Sequence, residues 1–304
     1  MHGNLSIFSH TLAQSTLMWY NNLQEYIQEV SIMNFKNPDI SILKNKKLYV
    51  FDMDGTIYLE DDVFPYAIRF IKNLRAAGKR ILFFTNNASH SHDFYIEKLT
   101  RLGFEPTADE IMTSGDVTAQ FLLRHRKGQS VYLMGTDDLV NSFRACGIPL
   151  LRGDEERADI VITSFDTSLT YEKMMNACRL IRQGAEYLST HPDFNCPTKN
   201  GPIPDSGAIS AFVTASTGIT PTYFGKPYPQ TVEMICEATG IPKEKMCIFG
   251  DRLYTDIAVG KRHGITAVLV YSGETTPLDV KNATEEDRPD FAFGSLDDVD
   301  KAIF

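Results

Sequence analysis

Cysteine is scarce and unpaired in this chain: Cys146, Cys178, Cys196, Cys236 and Cys247 are five among 304 residues, with no C-x-x-C spacing. An odd, scattered set excludes a disulfide framework and a zinc knuckle, and it is expected of cytosolic thiols. No apolar run approaches the ~20 residues of a membrane-spanning helix, so the protein is expected to be soluble, with no membrane partner. Lys and Arg are absent from the first 35 residues. That removes the charged start of a secretory signal and the Arg-rich face of a transit peptide, leaving a cytoplasmic location as the expectation. Neither G-x-G-x-x-G nor G-x-x-x-x-G-K-[ST] occurs, so dinucleotide and P-loop readings lack their glycines. Positive charge is in deficit too: 30 Lys and Arg against 39 Asp and Glu leave a net charge of −9, which argues against a nucleic-acid partner.

What is present is a globular composition, 43% apolar and 23% charged, in a length that suits about two domains. From Lys47 onward, short apolar runs at 47–51, 80–84, 245–249 and 266–270 alternate with helical periodicity at 66–77 and 93–102, each helix closed by a glycine. This alternation predicts an α/β fold, a Rossmann-like doubly wound parallel sheet with helices on both faces. A second alternation, strands 130–134 and 159–163 with helices 139–145 and 171–183, predicts a smaller α/β domain inserted at 127–222. The core is then 46–126 and 223–304. The Pro-, Asn- and Gly-rich stretch 190–204 is expected to be an ordered loop, and a last strand is expected at 290–293. Residues 1–45 form an extension; apolar residues from Leu17 to Val30 recur at helical spacing, and Met33 allows a later start.

In an open parallel sheet, ligands bind beyond the carboxyl ends of the strands, so the residues following each apolar run are the ones to read. The first run meets Asp52-Met-Asp-Gly-Thr56; residues two apart in extended chain face the same way, which aims Asp52 and Asp54 at one crevice. Like charges so close raise one pKa or recruit a cation such as Mg²⁺. The second run ends in Thr85-Asn86-Asn87, a hydroxyl and free amides at a helix start, suited to an anion. Lys226 stands in Gly-Lys-Pro before a helix, and Gly250-Asp251 with Asp256 places two more carboxylates after the 245–249 run. Singly, these are also an Asx-rich turn, a helix cap and a solvated lysine. Together they bring four carboxylates, a hydroxyl, amides and an ammonium to the strand ends of one sheet. His90 and His92 lack a third ligand and read as helix-start residues.

These four stretches, D-x-D-G-T, strand-terminal T-N-N, G-K-P and G-D-x-x-x-T-D in that order, resemble the haloacid dehalogenase-like hydrolases, over Leu48 to Asp256. The chain looks most like the NagD-type subgroup, which includes 4-nitrophenyl phosphatases, and Asp205-Ser-Gly-Ala208 resembles that subgroup's cap, of the C2 type. The resemblance implies a Mg²⁺-dependent phosphatase of small phosphomonoesters such as sugar phosphates or phosphoglycolate. In it Asp52 is the nucleophile that forms an aspartyl-phosphate and Asp54 the general acid and base. It also implies Mg²⁺ on Asp52, the Asp54 carbonyl and Asp251, phosphoryl oxygens held by Thr85, Asn86 and Lys226, and Asp256 orienting the metal or Lys226. Only 33 positions separate Asp52 from Thr85, so the cover over the crevice is expected from the inserted domain, whose residues His191, Asp193, Asn195 and Thr198 are candidates for leaving-group contacts. Members of the subgroup often pair through their caps, which makes a homodimer the expectation. The alternative is a phosphotransferase or phosphomutase using the same aspartyl-phosphate.

Overall fold

A computed structural model describes residues 39–198 and 200–304. The helix expected at 17–30 and the start at Met33 lie outside the described residues. Fourteen strands are described: β1 (Leu48–Phe51), β2 (Tyr58–Leu59), β3 (Asp62–Val63), β4 (Arg80–Thr85), β5 (Ile111–Thr113), β6 (Val131–Met134), β7 (Ile160–Thr163), β8 (Glu186–Ser189), β9 (Asn195–Cys196), β10 (Ile203–Pro204), β11 (Thr222–Tyr223), β12 (Met246–Gly250), β13 (Thr266–Val270) and β14 (Phe291–Phe293).

The larger sheet has the order β14-β13-β12-β1-β4-β5 and is parallel throughout. All four residues of β1 are buried, as a central strand covered on both faces requires. Its side chains alternate: Tyr49 and Phe51 join Phe70, Phe83 and Phe249 in one core, while Leu48 and Val50 join Leu82, Phe84 and Ile248 in the other. Phe51 stacks on Phe249 at 4.9 Å between ring centroids and meets Phe70 edge-on at 5.9 Å. The chain runs outward from β1 through β4 to β5, then returns to the other side at β12. The order therefore reverses beside β1, and the crevice lies past the ends of β1, β4 and β12.

The helix Pro65–Ala76 opens with proline, whose missing N–H costs nothing in a first turn. The helix His92–Arg101 is capped by Ser91, whose hydroxyl accepts from Phe94 N.

A second parallel sheet, β11-β8-β7-β6, is built from the stretch between 131 and 223, with the helices Asp137–Ala145, Tyr171–Arg182 and Ser206–Thr217 in its sequence. The fold class is thus an α/β core carrying a smaller α/β cap. One apolar core runs continuously from Val50 and Leu82 through Leu133, Ile162, Leu188 and Phe224, so the two sheets share buried side chains. The stretch 190–204 contains a β-hairpin, β9 with β10, where an irregular loop was expected: Asn195 and Cys196 pair with Pro204 and Ile203 across a turn in which the Thr198 hydroxyl donates to Gly201 O. Two residues per strand are too short to leave an alternating pattern. Among the described residues, no helix is long and apolar enough to cross a membrane.

Candidate active site

Asp52 is the first residue past β1, and its backbone N–H donates to Phe249 O at 2.8 Å, which ties the strand end to β12. Gly55 follows with φ 85°, the left-handed conformation that favours glycine. Close approach demands it as well: a Cβ on Gly55 would collide with the Asp251 carboxylate, as would one on Gly273. Two glycines therefore clear the space in which Asp251, at the end of β12, points back toward Asp52.

Lys226 Nζ donates to Asp52 Oδ1 at 2.5 Å and to Asp256 Oδ1 at 2.6 Å, with Phe84 O at 3.4 Å. The ammonium is buried; desolvation opposes its charge, but Asp256 and Asp52 outweigh it and hold its pKa above the usual lysine range. Asp256 reaches it from a wide turn, Leu253–Ile257, in which Ile257 N donates to Arg252 O five residues back. The second Asp256 oxygen accepts from Arg252 N at 3.2 Å.

Burial raises the Asp52 carboxyl well above its usual range; Lys226 counters this, and Asp256 and Asp251 add to it. Burial likewise raises Asp54, against a pull from Lys98. Asp251 is pushed up to about 7 by burial and then by Asp256.

Thr85 ends β4, and its hydroxyl accepts from Asn87 N at 3.1 Å, which turns the chain into the crevice. Asn86 faces Lys226 instead: its Oδ1 accepts from Lys226 N at 2.8 Å and its Nδ2 donates to Lys226 O at 3.0 Å.

Asp52, Asp251 and Asp256 each offer an oxygen within 4.8 Å of the others. Asp251 Oδ2 accepts from Glu274 N at 2.7 Å, while Asp251 Oδ1 is buried with no partner. A buried orphan carboxylate oxygen among raised carboxyls fits a hard divalent cation. A second acidic group, His191, Asp193 and Asp205, fits less well, because its atoms are already engaged: His191 Nε2 with Asp205 Oδ1 at 2.8 Å, Asp205 Oδ1 with Ser206 N at 2.5 Å, and both Asp193 oxygens with core donors.

A small cavity, open to solvent, is lined by Asp52, Asp54, Thr85, Asn86 and Lys226 on the core side. Of the four cap residues read from the sequence, only Asp193 lines it. His191 is wholly buried between Asp205 and Ser114, Asn195 is exposed, and Thr198 holds the hairpin turn. Sequence reasoning passed over Arg252, Thr255, Cys196, Pro197 and Asp205, which also line the cavity. Both Arg252 and Thr255 stand inside the G-D-x-x-x-T-D stretch, where the threonine is a fixed position of the motif and the arginine is not. Asp205 opens the stretch that resembles the subgroup's cap, and Cys196 and Pro197 reach the cavity from the end of the β9–β10 hairpin.

The description "Haloacid dehalogenase-like hydrolase" matches residues 49–149, and "HAD-hyrolase-like" matches 223–299. An "Acid sugar phosphatase" from Staphylococcus saprophyticus is 33% identical over 86% of this chain and 99% of its own length. The crystal structure of a 4-nitrophenylphosphatase from Thermotoga maritima matches with TM-score 0.82 at 42% identity, covering 86% of this chain and 99% of that one. A "putative nagD protein" matches with TM-score 0.74 at 44% identity, covering 77% and 91%. The chain belongs to the haloacid dehalogenase-like hydrolase family, within its NagD-type subgroup, as an enzyme of the phosphoric monoester hydrolase class.

Proposed function

We propose that this enzyme hydrolyses small phosphomonoesters, sugar phosphates among them, through a phosphorylated Asp52 and with Mg²⁺ as its cation. The observation that carries the reading is the placement of Lys226 between Asp52 and Asp256, beside the unpaired oxygen of Asp251. In the first half-reaction a carboxylate oxygen of Asp52 forms a bond to phosphorus as the bond from phosphorus to the ester oxygen breaks. Asp54, whose carboxyl burial raises, gives its proton to that departing oxygen. In the second, Asp54 takes a proton from water, the water oxygen bonds to phosphorus, and Asp52 leaves as carboxylate with inorganic phosphate as product. Lys226 favours the ionised form of Asp52 against the burial that raises it, and orients it; with Thr85 and the amide of Asn86 it meets the phosphoryl oxygens where charge accumulates.

Asp52, Asp251 and the Asp54 carbonyl would hold Mg²⁺, which when bound supplies positive charge between carboxylates and phosphate. Asp256 is assigned to Lys226, since both its oxygens are engaged by protein donors. The division into a core of 46–126 with 223–304 and a cap of 127–222 is supported by the presence of two sheets, and the cap loop over the cavity favours small substrates over protein-bound phosphate. Five free cysteines accord with a cytoplasmic enzyme. Pairing of two copies through the cap is supported by Tyr171, Met175 and Phe212, exposed apolar residues on its helices.

Release of inorganic phosphate from 4-nitrophenyl phosphate tests the reading. Wild-type protein with Mg²⁺ is expected to turn over, and Asp52→Asn, folded, is expected to be inactive. Activity of that variant near wild type, or full activity in excess EDTA, overturns the nucleophile or the metal assignment respectively.

A further inference from the structure

Asp193 belongs to the cap loop, yet its carboxylate is spent on the core. It is buried, with Oδ1 accepting from Asn86 Nδ2 at 3.2 Å and Oδ2 from Arg252 Nη1 at 3.3 Å. Asn86 is the residue whose amide brackets the backbone of Lys226. Arg252 follows Asp251 in the chain and donates its backbone N–H to Asp256. Its guanidinium, which lines the cavity, is held from two sides, by the buried Asp193 and by an ion pair of Nε with Glu274 Oε2 at 3.0 Å.

The same loop reaches Asn86 by a second route. His191 Nδ1 lies 3.3 Å from Ser114 Oγ, which donates to Asn86 O at 2.5 Å. The Lys226 segment is packed against both: a Cβ on Gly225, which has φ 71°, would lie 2.7 Å from Asn86 Oδ1 and 3.0 Å from His191 Cβ. Each oxygen of Asp193 is directed at a donor of the core, one at the Asn86 amide and one at the Arg252 guanidinium, so the carboxylate is oriented by the core and not by the open cavity.

We propose that Asp193 is a positioning residue: the cap loop fastens Asn86 and Arg252 through it, and so sets Lys226 and the end of β12, independently of what the phosphate is esterified to. The inference rests on the phosphatase reading for its kinetic consequence alone. A loosened Asn86 displaces Lys226 from Asp52, and a misplacement of about 1 Å costs on the order of 100-fold in rate.

The test compares Asp193→Ala, Asp193→Asn, Arg252→Gln and Asp193→Ala with Arg252→Gln, on 4-nitrophenyl phosphate and on glucose 6-phosphate. Asp193→Ala is expected to lower kcat by the same factor on both esters, on the order of 10- to 100-fold, with KM little changed. Asp193→Asn keeps an acceptor oxygen and is expected to recover most of that loss. In the double variant the combined loss is expected to fall short of the product of the two, because the substitutions share the Asp193–Arg252 contact. Hydrogen exchange supplies a readout without turnover: the Lys226 amide, held by Asn86 Oδ1, is expected to exchange faster in Asp193→Ala. A loss of kcat that differs several-fold between the esters makes Asp193 a leaving-group contact and overturns the proposal, as do multiplying losses or an unchanged Lys226 amide. Should Asp193→Ala not fold, Asp193→Ser carries the same comparisons. If wild-type protein hydrolyses neither ester, the phosphatase reading fails while the exchange experiment still decides this one.

Discussion

Lys226 and Asp52, 174 positions apart in the chain, meet at 2.5 Å in the floor of the cavity. Replacing Lys226 with Met leaves Asp52 and Asp256 buried and facing each other without a cation. Removing one partner of a buried ion pair costs about 3–5 kcal/mol. Lys226→Met is therefore expected to lower Tm clearly and to reduce kcat on 4-nitrophenyl phosphate by at least ~100-fold, measured by calorimetry and steady-state assay.

The fold that brings these two together was legible in advance, because four buried strands of the larger sheet are continuous apolar runs bounded by polar residues. β5 was not, since three residues at a sheet edge carry no period. The helix Ser206–Thr217 was missed for a different reason: its Ser, Thr, Ala and Gly content reads as loop, and its apolar face is set by packing under β7 and β8. In the site, strand-terminal acids announced themselves by position. Arg252 did not, because a lone arginine after an aspartate is indistinguishable from a solvated one until the cap loop supplies Asp193.

The raised carboxyl of Asp251 sets a pH dependence. Its folded pKa of about 7 lies above the unfolded value of about 4. The cation-free protein therefore binds more protons folded than unfolded between those values. This contribution to stability is full below about pH 4 and is lost as the pH rises toward 7. Thermal melts of EDTA-treated protein are expected to show this site favouring the acidic end of that window. Mg²⁺ affinity by titration calorimetry is expected to strengthen with pH up to about 7 and then level off, as protons cease to compete. A flat affinity from pH 5 to 8 refutes the assignment.

Gly273 offers a test of the cleared space around Asp251. Its backbone is not left-handed, so Gly273→Ala introduces only a methyl group against the Asp251 carboxylate. Mg²⁺ affinity is expected to fall by at least ~10-fold, as for other changes beside a metal ligand, and Tm in EDTA is expected to fall as well, because the methyl group crowds a buried side chain. Calorimetric titration of wild type and variant measures both.

Away from the cavity, Asp300 accepts from Arg69 Nε and Asn73 Nδ2, both at 2.9 Å, and fastens the last helix, Leu296–Ile303, to Pro65–Ala76. Asp300→Ala removes both hydrogen bonds while water can reach the Arg69 donors, and it is expected to cost about 1 kcal/mol of stability. Its kcat and KM are expected to match wild type. Chemical denaturation and the phosphate-release assay separate the two effects.

The wide turn at Leu253–Ile257 makes spacing as decisive as residue identity. Deleting one residue between Arg252 and Asp256 would draw this loop back to an ordinary helical pitch and swing the last carboxylate out of reach of its ammonium. Such a shortened chain would still carry every acid, the threonine and the lysine in their proper order, and a search by content would pass it as intact. What the bulge stores is a measure of length, and an enzyme lacking it would retain its whole inventory of reactive groups with no common place for them to act.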